Sequence, residues 1–75
     1  MNSLFTDNSW EDYLYWQQTD KKILHKINKL IHDIKRTPFE GSCWSRRIND
    51  EHRLVYEVVE DTVRIITCRY HYQPR

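Results

Sequence analysis

Residues 20–38 read DKKILHKINKLIHDIKRTP, and this stretch decides the fold of the chain. Its apolar side chains recur at the spacing of one helix face, at Ile23, Ile27, Leu30, Ile31 and Ile34. Thr19 or Asp20 is the expected N-cap. Pro38 should end the helix, because the residue before a proline disfavours the α-helical conformation. The stretch therefore predicts one amphipathic helix with an apolar stripe.

A shorter helix is expected before this one. Ser9 is followed three residues later by Asp12, a variant of the capping box, so the helix should begin after Ser9. Its predicted apolar face consists of Trp10, Tyr13, Leu14 and Gln17, with Trp16 on the flank. Only the Thr19-Asp20 corner separates the two helices, which predicts an antiparallel helix hairpin.

The second half of the chain favours β-strands. Alternating patterns predict strands at residues 44–48, 53–59 and 63–72, with turns at 49–51 and 60–62. Leu4-Phe5 is a candidate start of one more short strand. Helices followed by an antiparallel meander are typical of the α+β class. We therefore expect a single domain over residues 1–75, in which the helix hairpin packs on a small antiparallel sheet.

The loop between the last two strands decides which side chains share a face. A three-residue loop at 60–62 pairs Arg53 with Arg69, beside His71 on the same face, whereas a two-residue turn would put Arg53 and His71 on opposite faces. We predict the three-residue loop. The face against the helices would then hold Leu54, Tyr56, Val58, Ile66, Cys68 and Tyr70. The other face would hold an apolar patch of Val55, Val59, Val63 and Ile65. Such a patch needs a cover, which points to a dimer or a binding partner.

The composition excludes several classes of protein. The 75 residues are 39% hydrophobic and 31% charged, which fits a small globular domain and not a disordered polyelectrolyte. No apolar run approaches the roughly 20 residues of a membrane span, and residues 1–7 lack the features of a secretory signal. We therefore expect a cytoplasmic protein. Cys43 and Cys68 lack CxxC spacing and are expected to be small buried groups.

Basic residues collect in two places, although the net charge is only +1. The helix side opposite the apolar stripe carries Lys22, His25, Lys26, Lys29, His32 and Arg36. The strands carry Arg46, Arg47, Arg53, Arg64 and Arg69. These groups are either solvated surface, the more common role of such charges, or a surface that follows nucleic-acid phosphates. Their concentration on one ridge of a chain with balanced charge favours the second interpretation.

The end of the last predicted strand carries residue types suited to RNA cleavage. Cleavage through the 2′-hydroxyl needs a proton donor for the leaving oxygen and a cation for the phosphorane charge, and an aromatic plane helps to hold the base. His71, Arg53 and Tyr72 are candidates for these three roles. A metal site is disfavoured, because His25 and His32 lie further apart than the single helical turn that a chelating pair spans. We expect no metal or other cofactor.

Five strings of the sequence are more distinctive than these patterns: SWEDY at 9–13, TPFEG at 37–41, WSRRI at 44–48, EHRLVY at 51–56 and CRYHY at 68–72. With their flanking residues they resemble the YoeB-like toxins of the RelE superfamily over nearly the whole chain. The resemblance implies a RelE-like fold and a toxin of a bacterial toxin–antitoxin pair. Such a toxin enters the ribosomal A site and cuts mRNA there without a metal.

The resemblance also implies partners and residue roles. The partners would be an antitoxin similar to YefM, ribosomal RNA, mRNA and a second copy of the chain. Arg53 resembles the family's transition-state arginine, His71 its general acid, and Tyr72 its adjacent aromatic residue. The expected RNA-binding residues are Lys22, Lys26, Lys29, Arg46, Arg47 and Arg69.

The chain departs from the family pattern after Gly41. The family continues with a segment rich in Gly, Lys, Pro and Glu and then a strand, which together bring a glutamate proposed as general base. Here Ser42 and Cys43 lead directly to Trp44. Either the strand is absent, and the chain is an impaired toxin-like module that only binds antitoxin or ribosome, or the sequence omits residues between Gly41 and Ser42. Segments of that composition are commonly mobile, which favours the second alternative.

Overall fold

Two helices pack on a four-stranded sheet in a computed structural model of the chain, which describes residues 1–36 and 44–70. The elements are β1 (Asn2–Phe5), α1 (Asp7–Thr19), α2 (Lys21–Arg36), β2 (Trp44–Arg47), β3 (Arg53–Val59) and β4 (Thr62–Thr67). The strand order is β1-β4-β3-β2. The predicted α+β fold with a helix hairpin on a small sheet is confirmed. The sheet is mixed, however, because β1 pairs parallel with β4 and the other pairs are antiparallel.

Helix α2 forms as the sequence predicts. Asp20 caps it, with Oδ1 accepting hydrogen bonds from the backbone N–H groups of Lys22 (3.0 Å) and Ile23 (3.3 Å). The helix ends at Arg36, just before the residue that precedes Pro38. The buried part of its apolar stripe consists of Ile27, Leu30, Ile31 and Ile34.

Helix α1 differs from its prediction at its start and in its buried face. Its N-cap is Thr6, whose hydroxyl oxygen accepts from the backbone N–H of Ser9, and Ser9 itself is fully buried inside the helix. Trp16, predicted on the flank, is 5% exposed, whereas Trp10, predicted on the apolar face, is 47% exposed. The buried face of α1 is therefore rotated from the predicted one towards Trp16. This side chain can be buried because its indole N–H donates to the Cys68 carbonyl at 2.9 Å and so has a polar partner inside the core.

The turn between β3 and β4 has two residues, so the predicted three-residue loop is wrong. Val59 pairs with Thr62, and the turn residues Glu60 and Asp61 both have positive φ, at 49° and 61°. Two successive positive φ values belong to the type I′ turn, whose twist matches a hairpin. Thr62 therefore belongs to β4 and not to the loop.

This shorter turn changes which β4 residues face the helices. Val63 and Ile65 pair with Val58 and Tyr56 and are fully buried in the core, so the predicted exposed patch does not form from them. Of the four residues predicted for that patch, Val59 alone is exposed, at 46%. The core nevertheless includes three β3 residues predicted for it, Leu54, Tyr56 and Val58, and also Cys68.

Some predictions fall on parts of the chain outside the described residues. These are the Gly41–Ser42 junction, the burial of Cys43, and the structure of residues 71–75. Within the described ranges, no helix has the length and apolarity needed to cross a membrane.

Candidate RNA-processing site

Arg53 lies at the start of β3, on the sheet face that points away from the helices. Its neighbour Leu54 is fully buried against the helices, and side chains alternate along a strand, so Arg53 projects to the other side. The Arg53 side chain is half-buried, and its Nε donates to Ser45 Oγ at 3.2 Å. We name this side of the sheet the open face.

Two more arginines share the open face with Arg53. Arg47 is its direct partner across β2 and β3 and forms an ion pair with Asp50. Arg64, on β4, forms an ion pair of 2.9 Å with Glu57. Arg47 and Arg64 thus have carboxylate partners, whereas the side-chain bond found for Arg53 within the described residues is to a neutral hydroxyl. A half-buried guanidinium bonded to a hydroxyl keeps its charge available for an anion such as phosphate.

A β-bulge corrects the register between β3 and the end of β4. Up to Tyr56, which pairs with Ile65, the register follows the two-residue turn. Val55 then pairs with Thr67, so Ile66 is the extra residue of the bulge. At this one pair the register is the one that a three-residue loop would have given.

This register does not extend to Arg53. Its N–H binds the carbonyl of Tyr70 and not that of the predicted partner Arg69. The Arg69 guanidinium lies against Tyr15 of α1. The predicted pairing of Arg53 with Arg69 on one face is therefore wrong.

The bulge is held by the start of α1. The Ile65 carbonyl accepts from the Thr6 backbone N–H (3.2 Å) and from the buried Ser9 hydroxyl (2.7 Å). The Ile66 carbonyl accepts from the Thr6 hydroxyl at 3.2 Å. Three donors from α1 and its cap thus bind two carbonyls that an irregular strand presents, which fixes the bulge at this position.

The next two residues of the chain are held by the same helix. Asp12 Oδ2 accepts from the Thr67 hydroxyl (3.0 Å) and from the Cys68 backbone N–H (3.1 Å). The Trp16 indole N–H binds the Cys68 carbonyl. Burial, reinforced by the negative charge of Asp12, raises the pKa of the Cys68 thiol to about 12. Cys68 is therefore a packed, neutral thiol and not a nucleophile.

Tyr70, the last described residue, is held through its backbone. Its N–H donates to His52 Nδ1 at 2.7 Å, and its carbonyl accepts from the Arg53 N–H at 3.1 Å. Its φ is 64°, an uncommon value for a residue other than glycine. The described part of the chain therefore ends at Tyr70, beside Arg53, and two hydrogen bonds fix the backbone of Tyr70.

The other predicted site residues lie on different surfaces. His71 and Tyr72 are outside the described residues, so their convergence with Arg53 stays a prediction. Lys22, Lys26 and Lys29 are exposed on α2, on the side opposite the stripe that packs on the sheet, and so on the other side of the molecule from the open face. Arg46 pairs with buried Leu54 and projects to the helix side of β2, away from its neighbour Arg47.

Arg69, predicted to bind RNA, lies against α1. Its guanidinium carbon is 3.6 Å from the centre of the Tyr15 ring, and one of its terminal nitrogens donates to the Tyr70 hydroxyl at 2.9 Å. Its Nε is buried and has no hydrogen-bond partner among the described residues. This geometry favours a cation–π contact that fastens the chain to α1. An RNA contact of Arg69 stays a prediction.

The sequence did not indicate the roles of Ser45 and His52, and Asp12, predicted as the acidic residue of a capping box, instead accepts hydrogen bonds from Thr67 and Cys68. Their partners are distant in sequence or depend on the bulge, so no local pattern signals them. The one available signal was that His52 immediately precedes the strand that carries Arg53. Among the described residues, no group of three or more potential metal ligands is clustered.

Comparison with known proteins identifies the family. The model of the YoeB-like toxin of bacterial type II toxin–antitoxin systems matches residues 5–72. The chain is similar to Toxin YoeB of Escherichia coli (strain K12), with 52% identity over 84 residues that cover 96% of this chain and 100% of the relative. Since 96% of a 75-residue chain is 72 residues, about 12 aligned positions of that toxin have no counterpart here. This gap agrees in size with one strand and its approach loop.

Solved structures agree with this comparison. A YoeB/ParE toxin from Agrobacterium tumefaciens has a TM-score of 0.90 at 43% identity, covering 96% of this chain and 100% of that one. A YoeB-YefM complex from Staphylococcus aureus (TM-score 0.83, 40% identity) and a YoeB dimer from the same organism (0.83, 41%) each cover 96% of this chain and 98% of theirs. The intact E. coli RelBE complex, at 16% identity, TM-score 0.73 and the same coverage, shares the fold. The chain therefore belongs to the family of YoeB-like toxins of bacterial type II toxin–antitoxin systems.

Proposed function

We propose that this toxin is a ribosome-dependent endoribonuclease that cuts mRNA and so inhibits translation. The observation that carries the proposal is the position of Arg53, a half-buried arginine on the open face whose backbone N–H binds the carbonyl of Tyr70. His71 and Tyr72 follow Tyr70 directly in the sequence. The two remaining candidate residues therefore come immediately after a residue whose carbonyl is hydrogen-bonded to Arg53.

The proposed reaction is transesterification within one strand of RNA. The 2′-oxygen bonds to the adjacent phosphorus, and the bond from phosphorus to the 5′-oxygen of the next nucleotide breaks. Arg53 stabilises the negative charge of the phosphorane, and His71 gives a proton to the departing 5′-oxygen. Tyr72 holds the base by stacking. The proton acceptor for the 2′-hydroxyl is not assigned to a residue of this chain.

The basic surfaces support a role on the ribosome. The lysines of α2 form an exposed ridge on one side of the molecule, and Arg47 lies beside Arg53 on the other. We propose that the ridge binds ribosomal RNA phosphates through Lys22, Lys26 and Lys29 while the open face takes the mRNA. Two separate cationic surfaces suit a protein that contacts two RNA molecules at once.

The proposed partners are those of similar toxins, and the proposed location is the cytoplasm, where translation takes place. A structure of a similar toxin from S. aureus is titled as a YoeB-YefM complex, which supports an antitoxin similar to YefM. Another is titled as a dimer, which supports self-association. The apolar sheet patch does not support a dimer, because Val63 and Ile65 are buried in the core.

Primer extension on mRNA translated by purified ribosomes tests this function. We expect discrete cut sites with the unmodified chain, and none with His71→Ala. The alternative, a module that binds without cutting, is favoured by the missing positions where the family carries its glutamate. Ribosome binding without any cut site would establish that alternative and overturn cleavage.

A further inference from the structure

His52 is a buried histidine in the turn that leads into β3. It is 8% exposed, and its backbone is fixed on both sides. Its carbonyl accepts from the N–H groups of Ile48 (2.9 Å) and Asn49 (3.2 Å), and its own N–H donates to Asn49 Oδ1 (2.8 Å). The position of the imidazole therefore follows from a closed turn and does not depend on a mobile loop.

The His52 ring lies between two aromatic side chains. Its centre is 4.7 Å from the Trp16 ring in an edge-to-face arrangement and 5.5 Å from the Tyr70 ring. Its Nδ1 accepts the backbone N–H of Tyr70 at 2.7 Å. A ring nitrogen that accepts a hydrogen bond carries no proton, so the neutral imidazole has its hydrogen on Nε2.

Tyr70 needs such an acceptor. A left-handed conformation is unfavourable for a residue with a Cβ atom and persists where surrounding contacts enforce it. Here His52 and Arg53, which are adjacent in sequence, hold the N–H and the carbonyl of the same tyrosine. One dipeptide thereby links the backbone of the predicted transition-state arginine to the residue that precedes His71.

We propose that His52 is a positioning residue for RNA cleavage, which acts through its Nδ1 by fixing the peptide of Tyr70, the residue that precedes His71 in the sequence. This proposal rests on the proposed function. His52 does not contact the RNA in this mechanism. It holds in place the residue to which the proposed general acid is directly bonded, and a displacement of about 1 Å at a reacting group costs on the order of 100-fold in rate.

The competing explanation is that His52 only fills space against Trp16. Two substitutions distinguish the role of the hydrogen-bond acceptor from the role of the aromatic ring. His52→Phe keeps an aromatic ring and removes the acceptor. His52→Asn removes the ring but can place its side-chain oxygen where Nδ1 lies, because both atoms are bonded to Cγ.

The experiment measures single-turnover cleavage on programmed ribosomes as a function of ribosome concentration. We expect His52→Phe to lower the maximal rate roughly 10- to 100-fold with an unchanged half-saturating concentration, since the basic surfaces are intact. We expect His52→Asn to retain most of the rate. The reverse order, with His52→Phe active and His52→Asn impaired, would show a packing role and overturn the proposal.

A second measurement does not depend on cleavage or on the folding of a variant. Nitrogen NMR of the unmodified chain reports which imidazole nitrogen carries the proton, and amide hydrogen exchange reports the protection of the Tyr70 N–H. We expect His52 Nδ1 to be unprotonated and the Tyr70 N–H to be protected. If the unmodified chain does not cut RNA, the proposed function fails while this test still stands. A proton on Nδ1 or an unprotected Tyr70 amide would overturn the positioning role itself.

Discussion

The two ends of the β3–β4 hairpin are built by different means. At the turn end, the two-residue turn of Glu60 and Asp61 sets the register, and the nearby Arg64–Glu57 ion pair is partly exposed. At the bulge end, the register changes by one residue, and the carbonyls of Ile65 and Ile66 are bound by Thr6 and Ser9 from α1.

This difference shows where the candidate site gets its geometry. The turn end also has contacts from the start of the chain, since the Asn2 N–H donates to the Asp61 carbonyl at 3.0 Å and the terminal amine pairs with the Asp61 carboxylate at 3.8 Å, but it has none from α1 among the contacts described. The bulge end depends on residues more than fifty positions away, because Asp12 and Trp16 also hold Thr67 and Cys68. Arg53 and the approach to His71 lie at the bulge end. Function should therefore be sensitive to changes in α1 and tolerant of changes in the turn.

Substitutions at the two ends of the hairpin should differ most in their effect on the rate of mRNA cleavage. Arg53→Ala should lower the rate of mRNA cleavage by about 100- to 1,000-fold, because it removes the cation that stabilises the phosphorane. Arg64→Ala removes an arginine from the turn end of the same face and should leave the rate unchanged. Primer extension with both variants measures this. Equal losses would mean that the open face contributes only general positive charge.

The second difference concerns stability. Asp12→Ala leaves the Cys68 N–H without its acceptor and removes one of the two acceptors of the Thr67 hydroxyl, so it should lower the free energy of unfolding by about 1–3 kcal/mol. Arg64→Ala removes a partly exposed ion pair and should cost no more than about 1 kcal/mol. Urea unfolding of both variants gives the comparison. A smaller loss for Asp12→Ala would contradict the importance of α1 for the bulge end.

The buried thiol at the bulge end makes stability depend on pH. The pKa of Cys68 is about 12 in the folded chain, against an ordinary value of 9.0. The unfolded thiol therefore ionises first, so its contribution to stability is complete below pH 9 and is lost as the pH rises from 9 towards 12. The stability difference between the unmodified chain and Cys68→Ala should shrink over that range. A constant difference would mean that the thiol is accessible to water when folded.

The smallest effect is expected at the turn. Replacing Glu60-Asp61 by Asn-Gly should raise the free energy of unfolding by a few tenths of a kcal/mol to about 1 kcal/mol, because these residues suit two positive φ values. Cleavage should not change. Urea unfolding and primer extension measure both. A change in cleavage would show that the turn influences the bulge end and that the two ends are not independent.

The elements that the sequence predicted correctly depend on local chemistry. The stripe of α2 and the Asp20 cap follow from spacing and from one side-chain oxygen, and the extent of β3 follows from alternation. The start of α1 was missed, because Ser9 is used to bind the Ile65 carbonyl and not as a cap. The loop length was misjudged because positive φ at Glu60 and Asp61 is uncommon for such residues.

The candidate site was only partly predictable for the same reason. Resemblance to the family pointed to Arg53, but the bulge that determines its neighbours arises from contacts between α1 and β4. Nothing in the alternation of residues 62–68 marks Ile66 as the extra residue. His52 could not be assigned, because its partner is the backbone of Tyr70, and a backbone group has no sequence signal.

We expect Arg53 and His71 to meet on the open face, at the bulge end of the hairpin. Nuclear Overhauser contacts between the Arg53 side chain and the His71 imidazole test this most directly. We expect such contacts, together with contacts from the imidazole to Ser45 or Arg47. Contacts from the imidazole to the helix side of the sheet, with none to Arg53, would contradict it.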